Sequence, residues 1–180
     1  NFELAGKTLG LVGLGNVGRS IVPKAKGFGM NLIYHDVRRL APSDEAALGL
    51  TYVGFADLLR QADVVSLQVP LTPETQGLIG EKELLLMRSS AILISTCRGG
   101  VVDEAPLMEA LQHGRLAGAG LDVFSTEPLS ADSPWRRLEN VVLTPHVAGA
   151  SQEAVRRTFR MAFENVIRVV AGQDPLNRVN

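Results

Sequence analysis

The 180 residues suffice for one domain with a sizeable core, and 46% hydrophobic against 21% charged content excludes a disordered chain. A formal net charge of −1, with basic residues gathered only on one helix face near the end, leaves no footprint for nucleic acid. Cys97 is the only cysteine, so an internal disulfide is excluded and a reducing, cytoplasmic compartment suits the chain; no apolar run approaches the ~18 residues of a membrane span, and no signal peptide is expected.

Thr8 to Gly18, TLGLVGLGNVG, reads as a short apolar strand, a glycine turn and the start of a helix. Gly13, Gly15 and Gly18 fit G-x-G-x-x-G. The first allows a tight turn, the second lets the backbone approach a pyrophosphate, and the third lets helix and strand pack closely. The phosphate would rest on free N–H groups at the helix N-terminus. In the first helix, Val17, Ile21, Ala25 and Phe28 fall on one apolar face, and Gly29 ends it. Asn31 to His35 is the second strand. Asp36 closes it, 18 positions after Gly18 and so near the ~20 expected of a ribose-binding acid. Arg38, Arg39 and Pro42 form a polar loop, and Ser43 caps a short helix through Leu48.

Thr51 to Val53 is a minor strand, and Phe55, Leu58 and Leu59 mark a helix. Val64 to Val69 is a buried-type strand ended by Pro70. Thr72 to Gly80 is a long polar connection, and Glu81 to Met87 a helix. Ala91 to Ser95 is a strand with the exit loop Thr96-Cys97-Arg98-Gly99-Gly100. Asp103 caps a helix that runs to His113. Ala117 to Leu121 is a small-residue strand ended by Asp122; its Gly118 and Gly120 read as close packing, since a loop follows instead of a helix. A proline-bearing loop carries Glu127, Pro128, Pro134 and Trp135. Val141 to Thr144 is the last strand, followed by Pro145 and His146. Ser151 caps a last helix whose apolar face is Val155, Phe159, Ala162, Val166 and Val169. Strands alternating with helices predict an α/β fold of the Rossmann type, a doubly wound parallel sheet in three α/β/α layers.

Ligands of such a sheet bind outside the carboxyl ends of the strands. The glycine turn, Asp36, Arg98, Asp122 and His146 all fall at strand exits. His146 follows Pro145 and precedes a flexible Val-Ala-Gly-Ala run. Its titration range suits proton transfer near neutral pH, and Glu127 is the best candidate to orient it. His113 suits a helix C-terminus, and His35 a rim position beside the ribose acid. Cys97 reads as a small apolar residue at a buried strand end. No spacing of His, Cys, Asp or Glu points to a metal.

These residues resemble the D-isomer-specific 2-hydroxyacid dehydrogenases over nearly the whole chain. The resemblance rests on Gly13-Leu14-Gly15-Asn16-Val17-Gly18, on Ala62 through Thr72, and on Arg98-Gly99-Gly100-Val101-Val102-Asp103-Glu104. It rests also on Gly120-Leu121-Asp122-Val123-Phe124 with Glu127-Pro128, and on Thr144-Pro145-His146. It implies an NAD-linked oxidoreductase interconverting a D-2-hydroxy acid and its 2-oxo acid. Arg98 would grip the substrate carboxylate, Glu127 and His146 would form an acid/base couple, and Asp122 would contact the nicotinamide carboxamide. The implied cofactor-binding set is Gly13, Gly15, Asn16, Val17, Gly18, Asp36, Val69, Pro70, Thr75, Thr96, Cys97, Arg98, Asp122, His146, Ala148 and Gly149. Two positions depart from the family pattern: Ser95 stands where Asn is usual, and Gln68 where His is common.

NAD is favoured over NADP because Asp36 repels a 2′-phosphate, although Arg38 and Arg39 stand close enough to soften that preference. Residues 1–180 are expected to be a dinucleotide-binding domain cut from a longer protein, with the substrate domain largely missing and a homodimer formed through the part present. Two other readings share the architecture: an NADH-sensing corepressor, and an enzyme of the phosphite or formate dehydrogenase kind.

Overall fold

Thr8–Val12 (β1) sends alternate side chains to two helical layers, and this alternation organises the sheet. In the computed structural model, which describes residues 3–178, Leu9 and Leu11 join a buried cluster with Val22 and Ala25. Val12 joins a second cluster with Leu58, Leu59 and Leu107. The other strands are Asn31–His35 (β2), Thr51–Tyr52 (β3), Val64–Leu67 (β4), Ile92–Ser95 (β5), Gly118–Leu121 (β6) and Val141–Leu143 (β7). The helices are Asn16–Gly27 (α1), Pro42–Leu48 (α2), Phe55–Gln61 (α3), Glu81–Leu86 (α4), Glu104–Gln112 (α5) and Gln152–Val170 (α6). The strands pair in the order β3-β2-β1-β4-β5-β6-β7, parallel at every step. The expected Rossmann-type α/β fold is therefore the one observed. Its strand order reverses at β1 and β4, and the crevice of such a fold opens at that point, beyond the carboxyl ends.

Gly10 shows how tightly the layers close: a Cβ there would lie 2.6 Å from Leu58 Cδ2. Leu58 and Leu59 are both fully buried, each stabilising by about 1.5–3 kcal/mol. Gly118 meets the Asn140 carbonyl in the same way, at 2.8 Å from a hypothetical Cβ, so the second G-x-G is close packing of a buried strand.

Three local expectations change. The buried face of α1 is Gly18, Val22 and Ala25, not Val17, Ile21, Ala25 and Phe28; Phe28 is 62% exposed. The close approach of Gly18 to the turn fixes the helix rotation, and the i, i+4, i+7 line from Gly18 then faces the sheet. Helix α2 starts at Pro42, with Ala41 as its cap and Ser43 inside, because proline's fixed φ suits the first helical position. Asp103 caps α5 by backbone position without a side-chain bond.

The chain divides into two compact units, Asn1–Pro145 and His146–Asn180. The first holds the sheet. In the second, the Ser151 hydroxyl accepts the Ala154 N–H at 3.1 Å to cap α6. Beyond the helix, Asn165 exchanges hydrogen bonds with the backbone of Leu176. The expected apolar face of α6 exists but is not buried: Phe159, Val166 and Val169 are 62%, 61% and 57% exposed. No helix among the described residues is long and apolar enough to cross a membrane.

Candidate active site

The three fingerprint glycines do three different things. Gly13 takes φ +92°, and a Cβ there would lie 2.6 Å from the Gln68 carbonyl. A Cβ on Gly18 would lie 2.5 Å from the Gly13 carbonyl, so helix and turn touch. Gly15 has nothing within 4 Å of its missing Cβ, which leaves open space over the turn. Gly15 is also the cap of α1 and brings no side chain to its first N–H groups. An open face over an uncapped helix N-terminus fits a pyrophosphate, with the dipole favouring the anion.

Asp36 leaves β2 beside this turn. Its Oδ2 accepts the Leu14 N–H at 2.7 Å and its Oδ1 the Arg38 N–H at 2.9 Å. The acid is thus preset against the fingerprint loop, with lone pairs remaining for a ribose hydroxyl. His35 Nδ1 lies 3.1 Å from the Val53 carbonyl, and its ring packs against Tyr52 and Phe55. In the following loop, Arg39 forms a two-bond pair with Glu45. The Arg39 guanidinium, then the Tyr34 hydroxyl, holds the Glu45 carboxyl below the usual carboxylate range; Arg39 is raised in return, and burial pushes the Tyr34 phenol up.

Across the sheet reversal, β4 ends at Leu67, so Gln68, Val69 and Pro70 belong to its exit. The Thr75 hydroxyl donates to the Pro70 carbonyl at 2.6 Å and accepts the Thr72 N–H at 2.8 Å, tying this loop down. Val17, Val69, Pro70, Thr96, Cys97 and Arg98 line one cleft. Cys97 is 7% exposed, with its sulfur 3.4 Å from the Ser95 hydroxyl. Gln68 spends its amide on Ser66 at 2.9 Å. Both departures from the family pattern therefore have local partners. Arg98 is exposed. One guanidinium nitrogen donates to the Cys97 carbonyl at 2.7 Å, and it enters none of the ion pairs among the described residues. Arg98 is therefore not the ordinary surface ion pair that a lone loop arginine usually makes.

Asp122, at the end of β6, is 3% exposed and accepts the Thr144 hydroxyl at 2.5 Å. Glu127 Oε1 accepts the Phe124 N–H at 2.9 Å. The loops of Arg98 and Glu127 are locked together: a Cβ on Gly99 would lie 1.9 Å from the Phe124 carbonyl. Glu104 completes the clamp, accepting the Ser125 N–H at 2.6 Å and the Trp135 indole N–H at 3.2 Å. The contacts of Glu104, named only within a resemblance block, and those of Glu45 both escaped sequence reasoning. Each carboxylate reaches a partner far along the chain or across a loop, where no helical or strand period joins them. The buried Trp135, whose indole needs an acceptor, was the one available signal for Glu104. His146, Ala148 and Gly149 begin the second unit, where His146 takes φ 55°. His113 Nδ1 meets the Glu109 carbonyl at 2.9 Å, which is a helix C-terminal contact.

The model of the family described as D-isomer specific 2-hydroxyacid dehydrogenase, NAD binding domain, matches residues 1–148. A glyoxylate reductase of Korarchaeum cryptofilum is 48% identical over 180 residues, covering 99% of this chain and 54% of that protein. A solved structure from Thermus thermophilus aligns with TM-score 0.91 at 41% identity, over 100% of this chain and 56% of that one. A D-isomer specific 2-hydroxyacid dehydrogenase of Lactobacillus delbrueckii ssp. bulgaricus, solved in its NAD-complexed form, aligns with TM-score 0.90 at 33% identity, over 99% and 58%. The chain spans about half the length of the curated glyoxylate reductases it matches.

Proposed function

The chain belongs to the D-isomer-specific 2-hydroxyacid dehydrogenases, in their NAD-binding domain, and from that premise we propose that it serves an NAD-dependent reduction of a small 2-oxo acid to its D-2-hydroxy acid. Residues 1–180 are, in this reading, the dinucleotide-binding domain of a protein about as long as its relatives, and that protein is a cytoplasmic homodimer paired through this domain. The observation that carries the reading is Arg98: a cation outside every described ion pair, lining the same cleft as Val17 of the glycine turn.

Gly13, Gly15 and Gly18 with the first turn of α1 hold the pyrophosphate, and Asp36 the adenosine ribose. Asp122 holds the nicotinamide carboxamide. When bound, the nicotinamide supplies or accepts the hydride. The chain's own residues do the rest. Arg98 presents a planar fork that pairs bidentately with the substrate carboxylate and polarises the adjacent carbonyl. His146 delivers a proton to the nascent alkoxide, or removes it in the oxidative direction, and Glu127 orients the imidazole. The exits of β5 and β6 bring Arg98 and Glu127 onto loops clamped by Gly99 and Glu104, which supports a shared role.

The curated relatives named glyoxylate reductase make glyoxylate the first substrate to assay, with hydroxypyruvate, phosphohydroxypyruvate and pyruvate beside it. His146→Gln should lower turnover by roughly 100-fold or more, the worth of a positioned acid/base, while NADH affinity stays nearly unchanged. Loss of turnover and affinity together would make His146 structural and remove it from the mechanism.

A further inference from the structure

The two arginines that follow Asp36 are in different states. The guanidinium of Arg38 enters none of the described ion pairs. Arg39 is held. Its Nε lies 2.9 Å from Glu45 Oε1 and its Nη2 lies 3.0 Å from Oε2, which is the bidentate geometry that fixes a guanidinium in place. Its central carbon stands 5.1 Å from the Tyr52 ring centroid. Glu45 is itself 9% exposed and is fixed from the other side by the Tyr34 hydroxyl at 2.8 Å, which in turn accepts the Leu40 N–H at 2.8 Å. Guanidinium, carboxylate, phenol and backbone form one closed chain across the loop that leaves β2. Asp36 does not depend on it, since its two oxygens are already held by the Leu14 and Arg38 amides.

In this fold an arginine near the ribose acid accommodates the 2′-phosphate that distinguishes NADP from NAD. Arg39 leaves the chain three residues after Asp36. We propose that Glu45 is a specificity-determining residue, which favours NAD by holding the Arg39 guanidinium against Tyr52 and away from a 2′-phosphate. The proposal rests on the dinucleotide reading above and deepens it. Asp36 repels the phosphate, and Glu45 withdraws a cation that would offset the repulsion. Glu45 touches no nucleotide; it positions Arg39.

Fluorescence titration of the protein with NADH and with NADPH, at one ionic strength, reads the ratio of the two dissociation constants. Glu45→Gln keeps the shape of the side chain and an acceptor for Tyr34, and removes the charge that holds Arg39. The NADPH constant should tighten roughly tenfold, the scale of a charge-assisted bond to phosphate, and the NADH constant should stay within roughly twofold. Adding Arg39→Ala to Glu45→Gln should return NADPH to its starting affinity. Arg39→Ala alone alters a side chain that is 57% exposed, and it should move neither constant. That arm stands even if Glu45→Gln fails to fold.

An unchanged NADPH constant in folded Glu45→Gln overturns the proposal. So does a gain that survives Arg39→Ala, or a loss of NADPH affinity in Arg39→Ala alone. If the unaltered protein binds neither nucleotide, the dinucleotide reading falls and carries this one with it. If it binds them in a ratio that Glu45→Gln does not move, this proposal alone falls.

Discussion

Gly99 is the residue on which the two halves of the candidate site depend. A Cβ there would sit 1.9 Å from the Phe124 carbonyl and 2.7 Å from the Ser125 nitrogen. Both are backbone atoms, so no rotamer change relieves the clash, and the loops of Arg98 and Glu127 must part. Gly99→Ala should destabilise by about 1–3 kcal/mol, as overpacking does, and should weaken substrate binding before NADH binding, because the glycine turn of β1 lies elsewhere. Denaturant unfolding, with parallel titrations of NADH and of a 2-oxo acid in the presence of NADH, measures all three; an alanine variant as stable as the parent would show that the loops separate freely. The requirement was invisible in the sequence. Gly99 read as part of an exit loop, and only the approach of β6's exit explains why that position admits no side chain. The positions of Asp36 and Arg98 were legible for the opposite reason: a charged residue directly after a buried strand, as Asp36 is after His35, or in its short exit loop, as Arg98 is after Ser95, is marked by position alone.

Elements divide the same way. The seven strands followed from apolar runs and their parallel pairing from the alternation with helices, because a central strand buried on both faces, such as Val64–Leu67, has a sequence unlike its surroundings; their order across the sheet came only with the structure. The rotation of α1 did not follow from the sequence either, since the contact of Gly18 with Gly13 sets it and apolar periodicity does not. Nor did the lock between α2 and the loop after β2, whose members Tyr34, Arg39 and Glu45 share no period. That lock makes a pH prediction. The Arg39 guanidinium, with the Tyr34 hydroxyl, holds the Glu45 carboxyl below its ordinary range. A group whose folded pKa lies below its unfolded one stabilises the fold above the unfolded value. The stabilisation disappears as pH falls through the folded value. The stability gap between the protein and Glu45→Gln should therefore hold steady near neutrality and close from about pH 5 downward. Urea unfolding at a series of pH values reads it, and a gap that persists unchanged into acid would mean that the Glu45 charge adds nothing.

The scale of the whole molecule separates binding from turnover. The fingerprint glycines, Asp36, Val69, Pro70, Thr96 and Arg98 all lie in the unit Asn1–Pro145, carried by a parallel sheet with its own two buried clusters. In the function proposed above, cofactor affinity needs little more than these groups in place. Reduction of a 2-oxo acid asks for more: a substrate fixed against the cofactor, and water kept from the proton and hydride transfers. The cleft is open over Gly15, and the chain covers 54% of its glyoxylate reductase relative from Korarchaeum cryptofilum. α6 meanwhile exposes Phe159, Phe163, Val166 and Ile167, apolar surface of a kind that marks an interaction site when it is contiguous. Residues 1–180 should therefore bind NADH as a version extended to the relatives' full length does. If the function proposed above holds, they should reduce glyoxylate at least ~100-fold more slowly than that version, the worth of substrate orientation and closure. A titration and a rate assay on the same two preparations decide it. Equal rates would place the whole substrate site within this chain, and the surface of the sheet's carboxyl edge would then have to hold the 2-oxo acid unaided.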